Sequence, residues 1–345
     1  MPATEGSRGA SGRVRGLRHH ARTLFPGLLV CLTIAAAARF LSDHYGAPQM
    51  LFALLLGLAF HFLADDARCR PGIDFAGRVL LRVGVALLGF RITTEAVLSL
   101  GAGRVGMIAA GVLATIAVGV VLARLAGRDA PFGVLTGGAV GICGASAALA
   151  IASILPQGPQ RDRDAVFAVI AVTTLSTVAM IAYPILAAAL GLAGVDAGVF
   201  LGGTIHDVAQ VVGAGYSVSA EVGDASTIAK LFRVAMLVPV VLALSLLFAR
   251  PGGEGGAVVR RMPLPLFVVA FCVFVAANSA GWVPAAVTAP MTEASRWFLV
   301  AAIVALGIKT SLKQLADVGA VPIAVMVGET VFIGAWVLAG VYLLS

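Results

Sequence analysis

Charged side chains are what this sequence has least of. Asp, Glu, Lys and Arg supply 12% of its 345 residues, while 60% are hydrophobic, against about 25% charge in a typical soluble domain. That excludes a water-soluble globular fold, and a mean hydropathy of +1.00 places the chain in lipid. Long polar stretches between the apolar runs are also missing, so no large extramembrane domain exists to carry separate enzymatic chemistry. Cysteines are few: Cys31, Cys69, Cys143 and Cys272 lie far apart without a C-x-x-C pair. Neither a disulfide framework nor a metal site is indicated, and no cofactor is expected. Acidic residues (17) are outnumbered by basic ones (24), a formal net charge of +7. The surplus is local, because Arg8, Arg13, Arg15, Arg18 and Arg22 precede the first apolar run, where the positive-inside rule puts them on the cytoplasmic side. They read as partners of anionic lipid head groups rather than of nucleic acid. Residues 1–23 are expected to be a disordered basic cytoplasmic tail, and 24–345 a single integral-membrane domain.

Windows of about 20 apolar residues span a hydrocarbon core. They occur at 25–42, 48–64, 74–92, 104–125, 163–190, 226–249, 264–280, 292–309 and 319–344. Two more segments, 131–154 and 195–218, are interrupted by glycine. As full spans they raise the count to eleven; as re-entrant segments they return Arg161 and Arg163 to the cytoplasm and acquire opposite orientations. The charge bias favours re-entry. Either way the N-terminus is inside and the C-terminus outside. The expected fold class is an all-α polytopic membrane protein with about 9–11 transmembrane segments, built from inverted repeats whose two Gly-broken segments meet at the bilayer midplane. The short echo between Leu87–Thr93 and Ala305–Ser311 fits such repetition.

The core, 131–249, shows one pattern twice: a Gly-broken apolar segment, a polar break, and an intact apolar helix. The first copy carries Gly137, Gly138, Gly141, Ile142, Cys143, Gly144, Ala145 and Ser146; the second carries Gly202, Gly203, Thr204, Ile205, His206, Asp207 and Gln210. Each Gly costs a helix interior up to about 1 kcal/mol relative to Ala. The glycines therefore serve either close helix packing or an unwound tip whose backbone N–H groups face an anion. Paired broken segments in two repeats point to a transport site. His206 beside Asp207 at membrane depth is functional by default and suits proton coupling. Lys230 and Arg233, three apart on one helical face, either snorkel to the interface or reach Asp207 or an oxyanion. Glu329, mid-way along the last span, needs a partner or a water path. Candidate substrate-binding residues are thus Gly141, Cys143, Gly144, Ser146, Thr204, Gln210, Lys230 and Arg233. Candidate proton-coupling residues are His206, Asp207 and Glu329, and no metal ligands are expected. Thr173, Thr174, Ser176 and Thr177 offer cavity hydroxyls or bond their own helix.

The runs Gly141–Ala147 (GICGASA) and Thr204–Val212 (TIHDVAQVV), with Leu87–Arg91 (LLGFR), resemble the bacterial inner-membrane family named for sulfate export. The resemblance covers nearly the whole chain after the basic N-terminus. It implies kinship with the superfamily of bile acid:sodium symporters and cation/proton antiporters, hence inverted repeats, discontinuous helices meeting at the midplane, and secondary transport. The sequence departs from the family pattern at Asp207, where Glu is usual, and Glu329 lies outside the family motif. The function expected is secondary active transport of a small anion, sulfate or sulfonate-like, coupled to a proton or cation. An anion channel or a structural membrane component is the alternative. An intramembrane enzyme using Cys143 and His206 is weaker, for want of an oxyanion partner beyond backbone. Expected partners are the anion, the coupling ion and lipid; a homodimer is a possible assembly.

Overall fold

The computed structural model describes residues 6–45, 49–98, 100–156, 159–248, 266–309 and 320–344. The chain is all-helical among them. In order these are α1 (Gly6–Tyr45), α2 (Gln49–Ala59), α3 (Arg70–Phe75), α4 (Leu81–Leu87), α5 (Thr94–Leu98), α6 (Gly101–Leu125), α7 (Ala130–Gly141), α8 (Ala145–Ala152) and α9 (Pro159–Ala189). There follow α10 (Gly194–Thr204), α11 (Val208–Val218), α12 (Ala220–Ala235), α13 (Leu237–Leu247), α14 (Leu266–Ser279), α15 (Ala285–Lys309) and α16 (Ala320–Leu344). Among the described residues, six stretches are long and apolar enough to cross a membrane: Arg22–Tyr45, Gly101–Leu125, Arg163–Ala189, Ala220–Leu247, Ala285–Lys309 and Val321–Leu344.

Three of the nine expected windows differ. Window 48–64 is the short α2 followed by a 3₁₀ turn at His61–Ala64, and 264–280 is the 14-residue α14. Window 74–92 is a chain of short pieces, with a π turn at Ala76–Leu80 and a 3₁₀ turn at Leu88–Phe90. Its glycines serve contacts rather than helix regularity. A Cβ on Gly89 would come within 2.5 Å of the Phe271 carbonyl oxygen. The tail expected to be disordered is helical from residue 6, continuous with the first span; its arginines are favourable helix formers. In the echo, 305–309 is regular helix whereas 88–90 is a 3₁₀ turn, and Thr310 and Ser311 lie outside the described residues.

The chain divides into two compact units. In Met1–Gly84 with Ala294–Thr310, backbones touch at glycine crossings. A Cβ on Gly27 would stand 2.0 Å from the Cys69 carbonyl oxygen, and one on Gly57 2.5 Å from that of Val304. Small residues at such crossings are how membrane helices gain packing contacts.

Val85–Glu293 with Ser311–Ser345 contains both Gly-broken segments, and each is a helical hairpin. In the first, α7 runs inward, the chain breaks at residues 142–144, and α8 returns beside it. A Cβ on Gly138 would meet Ile151 Cδ1, although a continuous helix would hold those residues about 20 Å apart. The base is tied to the start of α9: Arg161 donates to Asp129 Oδ1 at 3.0 Å and to Asp164 Oδ2 at 3.0 Å, and Arg128 pairs with Asp164. Asp129 also caps α7 through Phe132 N. The second hairpin, α10 and α11, broken at residues 205–207, starts where α9 ends. Only Ser219, the cap of α12, separates α11 from α12. The base of α10 lies beside the same turn, with the Gly194 Cβ position 2.8 Å from Glu221 Oε1, while Arg104 donates to Asp196 Oδ1 at 2.7 Å. Because α9 crosses between the two bases, the hairpins enter from opposite sides. The entering arms α7 and α10, of 12 and 11 residues, extend about 16–18 Å, roughly half a hydrocarbon core, so the tips meet half-way; the returning arm α8 is shorter, at 8 residues.

Most glycines of the first hairpin explain its close fit to α6. Cβ atoms on Gly133 and Gly137 would fall 2.4 and 2.8 Å from the carbonyl oxygens of Gly119 and Thr115. Packing, not an unwound tip, accounts for these positions.

Candidate functional site

A helix leaves its last four carbonyls without intrahelical partners. At the two tips that problem arises twice, deep inside the protein. In α7, Ile142 N bonds Gly138 O and Gly144 N bonds Ala139 O; in α10, Ile205 N bonds Leu201 O. The carbonyls beyond are met by two side chains of α12. Arg233 Nε donates to Gly141 O (2.9 Å) and its Nη2 to Val140 O (2.6 Å). Its Nη1 reaches Gly202 O (3.2 Å), Gly203 O (2.7 Å) and Ile205 O (3.1 Å). Lys230 Nζ donates to Ile142 O (2.8 Å) and Ile205 O (2.9 Å). Both side chains are fully buried. Each spans the two hairpins, and each brings its N–H donors to the negative ends of the half-helix dipoles. The snorkelling reading of Lys230 and Arg233 is therefore corrected: α12 begins at the base of the second hairpin, so residues 230 and 233 arrive at the depth of its tip.

The N-terminal ends of the returning arms differ. α11 is capped by Asp207, whose Oδ1 accepts from Ala209 N at 2.8 Å, while Asp207 N donates to Ser176 Oγ at 3.0 Å. α8 starts after Gly144, at φ +68° and ψ −131°, and has no side-chain cap. Its first-turn N–H groups thus lack intrahelical partners, and Ser146 beside them is exposed. The two tips touch, since the position of a Gly144 Cβ is 3.6 Å from the His206 carbonyl oxygen.

Around the tips stand α9 and α16. Gln210 Nε2 donates to Thr177 Oγ1 at 2.8 Å, whereas its buried Oε1 has no hydrogen-bond partner. Thr173, Thr174 and Thr177 donate to carbonyls of their own helix, the second of the two readings of that cluster. Two neighbours on α16 address different hairpins: Glu329 Oε1 accepts from Thr136 Oγ1 of α7 at 2.6 Å, and Thr330 Oγ1 lies 3.1 Å from His206 Nε2. Glu329 is fully buried and its Oε2 has no partner.

The expected residues thus sort themselves. Lys230, Arg233, Gly144, His206 and Asp207 converge on the tips. Gly141 contributes its carbonyl to Arg233 and its missing side chain to the fit against α6. Thr204 Oγ1 bonds Phe200 O within its own helix, which leaves that hydroxyl a structural part; Cys143 is a buried free thiol. Thr136, Thr330 and Ser176 are site residues that sequence reasoning missed or left unassigned. Nothing local marks the first two, because their partners lie 193 and 124 residues away.

Fold and site together define a polytopic helical membrane protein in which two re-entrant hairpins meet on a buried pair of cations. The chain belongs to the family described as Conserved hypothetical protein 698, which matches residues 26–326. It is 54% identical to a UPF0324 membrane protein of Chlorobaculum tepidum, over 98% of this chain and 94% of that one. It is also 53% identical to the UPF0324 membrane protein TauZ of Paracoccus denitrificans, over 93% and 96% of the two chains. The TauZ of Paracoccus pantotrophus is 52% identical over 96% and 98%. No solved structure matches.

Proposed function

We propose that the protein is a secondary active carrier of a small anion, sulfate or sulfonate-like, coupled to protons and working by alternating access in the bacterial inner membrane, with its N-terminus cytoplasmic. This reading makes it a carrier and not an enzyme, in keeping with the resemblance to the sulfate-exporter family and its superfamily. The observation that carries it is the pair of buried basic side chains at the tips, Lys230 and Arg233, bonded to carbonyls alone among the described residues; both are taken as charged. Half-helix ends of both signs meet there and their partial charges, about 0.5 each, cancel. Lys230 and Arg233 add two positive charges, and no carboxylate pairs with either among the described residues. Asp207, committed to capping α11, adds one negative charge. With Glu329 protonated the cluster therefore holds one positive charge in excess. An uncompensated buried charge costs several kcal/mol, and an anion at the uncapped start of α8, beside Ser146, offsets it.

Coupling follows from the same count. Loss of the Glu329 proton brings the cluster to neutrality and releases the anion, so proton and anion move together. Broken helices entering from opposite sides suit a site that opens to each side in turn better than a continuous pore. The test is uptake of radiolabelled sulfate and of a short alkanesulfonate into proteoliposomes under an imposed pH gradient. Accumulation above the equilibrium level, abolished by an uncoupler, is expected; flux that only equilibrates the anion indicates a channel and overturns the reading.

A further inference from the structure

The carbonyl oxygens gathered at the two tips form the kind of cage that binds a hard cation: unwound backbone at membrane depth, oxygens only, from two half-helix C-terminal ends. Val140, Gly141 and Ile142 supply it from α7, and Gly202, Gly203 and Ile205 from α10. Every one of these oxygens already accepts a hydrogen bond from Lys230 or Arg233. Lys230 Nζ in particular bridges the two tips at 2.8 and 2.9 Å, a compact point charge set between one carbonyl of each. The side chains leave in one direction, along α12, with no exposed surface.

We infer that Lys230 and Arg233 are tethered replacements for a coupling metal cation, so that this site takes no Na⁺, Li⁺ or K⁺ and its coupling ion is the proton. The inference rests on the carrier reading but is tested apart from it. A tethered charge cannot dissociate, so it cannot carry the energy of an ion gradient. What it supplies is permanent: it holds the hairpins together and biases the site toward anions whatever the salt. The group left to exchange with solvent is then a protonatable one, and Glu329, with its unpartnered Oε2, is the carboxyl available.

The first arm of the test is thermal unfolding of the purified full-length protein in NaCl, LiCl, KCl or choline chloride at equal ionic strength. The wild type is expected to unfold at one temperature in all four. Lys230→Ala reopens the gap between Ile142 O and Ile205 O, and this variant is expected to gain about 5 °C in one of the alkali salts over choline. Lys230→Met, which refills the gap with an apolar tail, is expected to gain nothing. A purely structural lysine gives no cation-selective rescue, so a folded Lys230→Ala blind to the choice of cation overturns the inference. Selective stabilisation of the wild type by Na⁺, Li⁺ or K⁺ overturns it too. The second arm needs no variant: anion uptake by the wild type driven by an inward Na⁺ gradient at equal pH contradicts the inference, and undiminished pH-driven uptake in choline supports it. Should no gradient drive uptake, the carrier reading fails while the thermal arm still decides who fills the cage.

Discussion

The two hairpins solve one problem with different chemistry. Each must end a helix, turn, and begin another half-way through a hydrophobic slab. The first turns on Ile142-Cys143-Gly144, an apolar break that needs a glycine at φ +68° and leaves the start of α8 uncapped. The second turns on Ile205-His206-Asp207, in which Asp207, its backbone extended, caps α11. Their outgoing ends are treated alike, by Lys230 and Arg233, but their returning ends are not. The second tip is closed and anchored to α9 and α16, while the first is left open beside the exposed Ser146. An uncapped end and a capped, anchored end are thereby distinguished, and in the proposed carrier the anion sits at the uncapped one.

The most damaging way to break this comparison is to remove what both hairpins share. Arg233→Ala strips Val140 O and Gly141 O of α7 and Gly202 O and Gly203 O of α10 of that donor together, and each buried acceptor left unsatisfied costs about 1–3 kcal/mol. Arg233→Lys is expected to fare little better, because one ammonium cannot reproduce a fork spanning two backbones. Both should yield little monodisperse protein in detergent; a well-folded Arg233→Ala would mean that the tips hold themselves.

Next in size is Glu329→Gln. The amide keeps an acceptor for Thr136 and fixes the neutral state, so anion binding should persist and lose its pH dependence while pH-driven accumulation falls at least tenfold. Isothermal titration across pH 5–8, with flux assays, checks both halves.

Gly144→Ala sharpens the asymmetry. Its Cβ meets only ordinary contacts, the nearest at 3.6 Å, so the penalty is the backbone conformation itself, about 1–3 kcal/mol. Relaxation of that turn should displace the start of α8 and weaken anion binding about tenfold. The smallest effect is expected from Asp207→Asn, since Asn caps as well as Asp and stability should hold, while Asp207→Ala should cost about 1 kcal/mol. Removing one negative charge from the cluster should tighten anion binding in Asp207→Asn, and weaker binding would show that Asp207 serves the ligand directly.

Much of this was legible in the sequence. Composition gave the membrane, and the paired Gly breaks located both tips to within a few residues because glycine and polar residues at that depth are costly without a reason. Re-entry was indicated by Arg161 and Arg163, and the same Arg161 proves to tie the hairpin base to α9. The roles of Lys230 and Arg233 were not legible. Their place near a helix start left the interface and a reach to Asp207 or an oxyanion both open, and only the fold reveals that α12 starts beside a hairpin base and that both side chains end on carbonyls. Nor could sequence separate packing glycines from the turning one, as Gly137 and Gly144 differ in what lies opposite and not in their neighbours along the chain.

The central claim, two hairpins inserted from opposite sides, is open to one direct measurement. With Cys31, Cys69, Cys143 and Cys272 replaced by alanine, single cysteines at Gly127 and Ser153 flank the first hairpin, and those at Leu192 and Val218 flank the second. Labelling by a membrane-impermeant maleimide in oriented vesicles should place both members of each pair on one face, and the two pairs on opposite faces. Members of a single pair reacting from opposite faces would make that segment a crossing helix and contradict the account.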